Sequence, residues 1–388
     1  MEPLFPKEEY EKRYGRARTY MAEKKIDALL ATNVINYTYL GGHAIPGLAP
    51  WTTRPFLLIL PLNEEPVIIG QLGAEDSIRK TSNVKKAIFW DKLPFDVNIV
   101  KETLQQLKLS KAKIGCELGL EEHLGISQLD FMKLQREMPD AKFVDAADIF
   151  WGLRVIKSQA ELRCIRKTCE VTSEAYQKTF NSLEIGMSPN EVQQVFFGNV
   201  MKQNLTPHFI LCKFWSKYGK SMYVKKDGIV WLDGGAVYKG YRCDFSRMVA
   251  TTAAAENARI MYAKMRKITW KLIDMVKPGI KISDIVKTAI REQKLAGVGN
   301  SKLERIGRIG HGLGLGFGDP YNFSTELPSL SLEDETVLQP GMVITIEPGE
   351  TTNYGYFTLE EDLVVTDNDY ELLSEETSEP ELPVVCTT

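Results

Sequence analysis

The chain is poor in histidine, has no CxxC cysteine pair and contains no long apolar run. Only four histidines stand among its 388 residues, so a site needing several imidazoles has few to draw on. The six cysteines, Cys116, Cys164, Cys169, Cys212, Cys243 and Cys386, are scattered without CxxC spacing. That argues against a cysteine-built zinc or disulfide framework and reads as free thiols in a reducing compartment. The longest strongly apolar stretch, Phe56 to Leu62, is far too short to span a membrane and reads as a buried strand. No basic segment followed by an apolar one opens the chain, so no secretory signal is expected and a cytoplasmic location is. Lys and Arg together number 48 and Asp and Glu 51, a net charge of -3. That balance gives no general pull toward nucleic acid or an anionic membrane.

A chain of this length exceeds one ordinary core and predicts two domains, 1–154 and 155–388. The first alternates helical and strand patterns. Lys7 to Lys24 is charged and periodic, so helical. Asp27 to Thr32 reads as a buried strand, and Pro55 to Leu62 with Pro66 to Gly70 as a hairpin around Asn63-Glu64-Glu65. Further short strands at Lys86 to Trp90, Lys113 to Glu117 and Lys142 to Asp145 make this an α/β domain. Ser158-Gln159-Ala160-Glu161 has capping-box spacing and opens a long helix to about Phe180; Ser188-Pro189-Asn190-Glu191 is a second box. Gly186-Met187-Ser188 is echoed by Gly279-Ile280-Lys281 at another helix–helix junction, which hints at two related halves.

The chemistry lies in the second domain. His311 stands in Gly310-His311-Gly312-Leu313-Gly314, where glycine on both sides lets the backbone approach something closely. Carboxylates interrupt apolar strand patterns at Asp233, in Trp231-Leu232-Asp233-Gly234-Gly235, and at Asp244. They do so again at Glu347, in Ile346-Glu347-Pro348-Gly349, and at Glu360-Glu361-Asp362. A buried carboxylate needs a partner. Arginine is one answer, with Arg247 and Arg308 available. The other is that four carboxylates and one imidazole converge on metal, a donor set that suits Mn, Fe, Co or Zn in a two-metal site. Cys243, beside Asp244, is read as a buried thiol in preference to a catalytic one.

The ordered set Asp233, Asp244 eleven residues on, His311, Glu347 and Glu360 resembles that of the pita-bread metallohydrolases: methionine aminopeptidase, aminopeptidase P, prolidase and creatinase. The resemblance covers essentially the whole chain. It implies a creatinase-like N-terminal domain and a pita-bread domain with pseudo-two-fold halves, α/β (α+β) overall. In that family the last Glu stands six residues before the Thr of a Val-Thr pair, and counting back from Thr366 gives Glu360. The resemblance further implies two divalent ions, with manganese favoured. Asp244 and Glu360 would bridge them, Asp233 would complete one, and His311 and Glu347 the other. A bridging water would be the nucleophile, Glu347 would carry its proton, and His311 would have to be neutral, so activity should fall in acid. The implied substrate is a small peptide or small polar molecule, and the implied assembly a homodimer.

The chain departs from the peptidase pattern at three places. A histidine upstream of the first Asp is replaced near Ser216. A histidine after Gly-His-Gly is missing from both Gly318-Asp319-Pro320 and Thr325-Glu326-Leu327-Pro328. An arginine two before the last Glu is Thr358. Neutral Ser or Thr cannot supply a proton near neutrality as His does. The expectation is therefore an Xaa-Pro peptidase, with a creatinase-like amide hydrolase or a metal-dependent lyase as the alternative. A binding module on a dead scaffold is disfavoured by the complete ligand set. Tyr241, Trp215 and Tyr218 are candidate pocket residues. The loop from Gly41 to Pro55 would reach a partner's site through Arg54 or Trp51.

Overall fold

The computed structural model describes residues 3–43, 54–252, 255–298, 308–315, 326–374 and 381–385. The chain divides into two compact units, Met1–Arg154 and Val155–Thr388.

In the first unit six short strands form one mixed sheet in the order β4-β3-β2-β1-β5-β6. They are β1 (Ala28–Ala31), β2 (Leu57–Pro61), β3 (Val67–Gln71), β4 (Lys86–Trp90), β5 (Lys113–Cys116) and β6 (Lys142–Asp145). β1 and β2 are buried along their whole length, as central strands covered on both faces must be. β2 and β3 form the antiparallel hairpin, while β4 and β6 add in parallel. The helices are α1 (Lys7–Lys24), α2 (Val34–Gly41), α3 (Glu75–Thr81), α4 (Asn98–Gln106), α5 (Gln128–Glu137) and α6 (Ala147–Val155). Glu117, buried just past β5, accepts from the backbone N–H of Thr32 at 2.8 Å and of Asn33 at 3.0 Å. That supplies acceptors at the entry of α2, where N–H groups lack intrahelical partners.

The second unit repeats one plan twice. Helices α7 (Gln159–Asn181) and α8 (Pro189–Lys202) lead into β7 (Thr206–Ser216), β8 (Gly219–Ser221), β9 (Ile229–Tyr238), β10 (Tyr241–Arg242) and β11 (Phe245–Thr251). Helices α9 (Glu256–Ile273) and α10 (Ile282–Leu295) lead into β12 (Arg308–Gly312), β13 (Glu326–Ser331) and β14 (Val343–Ile346). There follow β15 (Gly349–Thr351), β16 (Tyr356–Thr358), β17 (Glu361–Val365), β18 (Tyr370–Leu372) and β19 (Val384–Val385). The two main sheets run β19-β11-β9-β7-β8 and β13-β12-β14-β17-β18, with β15 and β16 as a separate hairpin.

The echo in the sequence is a structural repeat. Gly186 and Gly279 both take left-handed backbone, at φ +96° and +89°, which glycine adopts without a Cβ penalty. Gly186 donates to Val224 O and Val224 donates back to Met187 O. Gly279 donates to Leu338 O and Leu338 donates back to Ile280 O. Two helix pairs, each leading into a mainly antiparallel sheet, are the pita-bread arrangement. One apolar cluster joins the sheets, from Trp231 and Met248 through Leu272 and Ile285 to Ile344 and Leu363. Each such side chain contributes roughly 1.5–3 kcal/mol by leaving water. Among the described residues no helix is long and apolar enough to cross a membrane.

Both capping boxes are formed, with Ser158 and Glu161 exchanging bonds at α7 and Ser188 and Glu191 at α8. Ser158→Ala should lower stability by about 1 kcal/mol, read as a lower urea midpoint at unchanged slope.

Candidate metal centre

The first two carboxylates come from one antiparallel pair. Asp233 lies in β9 opposite Ser246 of β11, and Asp244 sits between β10 and β11. The glycines after Asp233 permit a close approach. A Cβ on Gly234 would stand 2.2 Å from Phe209 O, and one on Gly235 2.0 Å from Cys243 O. No side chain fits there, which is why this strand reads Asp-Gly-Gly.

The second half supplies the imidazole and two more carboxylates. Gly310 and Gly312 bracket His311 because a Cβ on either would stand 2.1 Å from Thr345 O or 2.2 Å from Leu327 O. His311 Nδ1 lies 3.0 Å from Gly312 O. A carbonyl can only accept, so Nδ1 carries the proton and Nε2 faces the carboxylates. Nε2 stands 3.4 Å from Asp244 Oδ2 and 3.9 Å from Glu360 Oε1. One donor atom each from Asp244, His311 and Glu360 lies within 4.8 Å of the others. β14 pairs with β17 so that Ile346 faces Glu361, which puts Glu347 and Glu360 at neighbouring strand ends. Glu360 and His311 are buried, while Asp233, Asp244 and Glu347 are half-buried, so the cluster opens on their side.

The two acids at 360 and 361 part company. Arg247 Nη2 donates to Glu361 Oε2 at 2.9 Å, and the Ser374 hydroxyl donates to the same oxygen. Arg247 Nη1 also donates to the main-chain oxygen of Glu360 at 3.0 Å, and Ser246 Oγ accepts from Glu360 N at 3.2 Å. Asp362 Oδ2 accepts from Asp244 N at 3.1 Å. Residues of one half thus fix the backbone of the other, and Arg247 serves the neighbour of Glu360.

Burial pushes Asp233 well above the usual carboxylate range, helped by the charges of Asp244 and Glu347. Burial and then Glu347, Asp244 and Asp233 do the same to Glu360. Glu347 is raised by burial and by Asp244, against the pull of His311. Asp244 is the exception. Burial pushes it up, but the hydrogen bond and charge of His311, with His208 and Arg242, hold it below its ordinary value. Among the described residues, buried Oδ1 atoms of Asp233 and Asp244 have no hydrogen-bond partner. Orphaned carboxylate oxygens, mutual repulsion and an aimed imidazole nitrogen are the features that divalent cations would satisfy.

The other sequence candidates scatter. Tyr241 is buried and its hydroxyl donates to Glu161 Oε1 at 2.9 Å, at the start of α7. Trp215 lines a cavity with Lys213 and Tyr356. Tyr218 is 87% exposed. Arg54 is exposed on the first unit, and Trp51 lies outside the described residues, as do Gly318, Asp319 and Pro320. Glu326 forms a buried 2.6 Å pair with Lys157. Cys243 is fully buried, 3.2 Å from Thr172 Oγ1. The sequence reading passed over His208, a buried imidazole whose Nε2 lies 3.4 Å from Arg242 Nη1. Burial, then the Arg242 charge, pushes it down to about 3, so it is neutral near pH 7. Arg242 could have been flagged as a cation two residues before Asp244. His208 carries no local signal.

Two family models divide the chain between them. Metallopeptidase family M24 matches residues 163–367, and the Creatinase/Prolidase N-terminal domain matches residues 13–156. The Xaa-Pro dipeptidase of Pyrococcus furiosus is 26% identical over 268 residues, 65% of this chain and 71% of the relative. The Xaa-Pro dipeptidase of Lactobacillus delbrueckii subsp. lactis is 25% identical over 323 residues, 76% of each chain. Among solved structures, the Xaa-Pro dipeptidase from Bacillus anthracis matches with a TM-score of 0.80 at 21% identity. That match spans 97% of this chain and 100% of the other. At that identity the likeness speaks for the fold.

Two tests follow from the electrostatics. Arg247→Ala leaves Glu361 buried without its cation, which should cost roughly 3–5 kcal/mol and lower both the thermal midpoint and metal retention. The raised carboxylates bind protons in the folded chain where the unfolded chain has released them, so metal-free protein should lose stability as pH rises above about 4.3. Glu360→Gln removes one such group. Without metal, the variant should melt above the parent at neutral pH and match it in acid. Manganese should raise the parent's midpoint more than the variant's.

Proposed function

The chain belongs to metallopeptidase family M24, a family of divalent-metal hydrolases, and on that premise we propose that it cleaves small Xaa-Pro peptides with two metal ions. The observation that carries this reading is the convergence of Asp244, His311 and Glu360, with Asp233 and Glu347 beside them. These five side chains would hold the ions, manganese before cobalt, zinc or iron on the oxygen-rich donor set. Divalent ions there supply Lewis acidity that polarises a carbonyl and makes water acidic near neutrality.

The chain's own residues do the rest. Glu347, half-buried with a raised pKa, takes a proton at its carboxylate and returns it to the leaving nitrogen. Arg247 holds the main chain of Glu360. A homodimer in the cytoplasm belongs to the same reading. The second reading, a non-peptide amide hydrolase or a lyase, is favoured by one observation. Thr358 stands where the peptidases carry arginine, and its hydroxyl is buried without a hydrogen-bond partner among the described residues.

The decisive experiment is turnover by metal-stripped protein reloaded with Mn, Co or Zn, on Xaa-Pro dipeptides and longer Xaa-Pro peptides. Metal-dependent release of the first residue or of proline is expected, with Glu347→Gln slower by about a hundredfold or more. Tight binding of about two ions with no cleavage across the panel would hand the site to the second reading.

A further inference from the structure

A cavity of about 440 Å³ lies between the β7–β8 pair and the β15–β16 hairpin, large enough for a small ligand; two of its lining residues, Lys213 and Tyr356, feel the charges of the metal-centre carboxylates. Lys213, Trp215 and Lys220 of the β7–β8 pair form one wall; Thr351, Asn353 and Tyr356 of the β15–β16 hairpin form the other. In the sheet, Leu211 registers with Asp233 and Lys213 with Trp231. Side chains two residues apart on a strand share a face and stand about 7 Å apart. Lys213 is therefore the diagonal neighbour of Asp233 on the adjacent strand, on the same face. That separation is about the reach of one amino-acid residue.

Lys213 Nζ lies 4.5 Å from the centre of the Trp231 ring and 5.2 Å from that of Tyr356. The rings themselves meet edge to face at 5.2 Å. Among the described residues no carboxylate stands within ion-pair distance of Lys213, and Lys220 brings a second positive charge to the same cavity. Two like charges on one wall, backed by aromatic faces, favour an anion between them. Asp233 acts on Lys213 through space but stands outside ion-pair distance, so it is not that anion.

We infer that this cavity is a subsite for a carboxylate of the substrate, with Lys213 as its anchor. The inference rests on the peptidase reading above. The carboxylate has two sources in a small peptide, an acidic side chain on the residue before the scissile bond or the free C-terminus. Either would accept charge-assisted hydrogen bonds from Lys213 and hydroxyl or amide donors from Thr351 and Asn353.

The test uses the metal-loaded full chain and its Lys213→Met, Lys213→Arg and Lys220→Met variants, each checked for an unchanged thermal midpoint. Two ratios of kcat/KM are measured: Glu-Pro over Ala-Pro, and Ala-Pro over Ala-Pro-amide. The first reports the side chain and the second the C-terminus. One of them should exceed about ten in the parent, fall toward one in Lys213→Met through KM, and recover in Lys213→Arg. Lys220→Met, at an exposed site, should give a smaller fall and covers the case of a misfolded Lys213 variant. A second readout needs no turnover: glutamate and proline are titrated against tryptophan fluorescence, which Trp215 and Trp231 would report. Binding should weaken about tenfold in Lys213→Met for the product that carries the anchored carboxylate. Both ratios near one in the parent, with product binding unchanged in the variants, would overturn the subsite while leaving the peptidase reading intact. Lys213-dependent binding in a protein that cuts neither Xaa-Pro dipeptides nor longer Xaa-Pro peptides would overturn the peptidase reading and keep the subsite.

Discussion

Carboxylates gathered at one site push apart, and burial strengthens that push because water no longer screens it. Asp233, Asp244, Glu347 and Glu360 are held in this condition, and the second unit is arranged to resist it. Ser246 and Arg247 bind the main chain of Glu360, and Asp362 binds the amide of Asp244. None of these contacts uses the facing carboxylate oxygens, which stay available. The glycines at 234, 235, 310 and 312 bring the carrying strands closer than side chains would permit. The repulsion is thus borne by backbone geometry and by Arg247, which holds the main chain of Glu360.

The repeated plan explains how one unit builds such a site. Each half delivers its ligands from paired strands: Asp233 and Asp244 around β9 to β11, Glu347 and Glu360 at the ends of β14 and β17. Only His311 comes from a third place, the strand next to β14. The matched glycine junctions at 186 and 279 fix how each helix pair meets the segment leading to its sheet. The site forms where the halves meet, and Arg247 spans that meeting.

Legibility in the sequence followed the range of the interaction. Asp-Gly-Gly, Gly-His-Gly and Glu-Pro-Gly were readable because each acid or imidazole is tied to a glycine that its own strand requires. For Gly349 the neighbour is the Tyr356 hydroxyl, 2.4 Å from where a Cβ would stand. The capping boxes were readable because both partners lie within one helical turn. Lys213 was not, because a lysine in a strand usually reaches solvent, and only the register with Trp231 turns it toward a cavity. His208 and Arg242 meet across 34 residues, a separation no local pattern spans. Tyr241, a candidate pocket residue in the sequence, is buried and its hydroxyl donates to Glu161 at the start of α7, a contact 80 residues apart that no local pattern signals.

The β15–β16 hairpin stands outside both main sheets, although the two residues that flank it, Glu347 and Glu360, are at the heart of the centre. Both ends are anchored, Glu347 by its amide to Ile309 O and Glu360 by Arg247 and Ser246. The tip between them, from Thr352 to Gly355, closes on its own bonds, Thr352 with Gly355. Changes of sequence or length at this tip would reshape the cavity wall without shifting either glutamate. Evolution, or an engineer, can therefore graft new hairpin tips onto an unchanged reaction centre, and divergence among relatives should concentrate there.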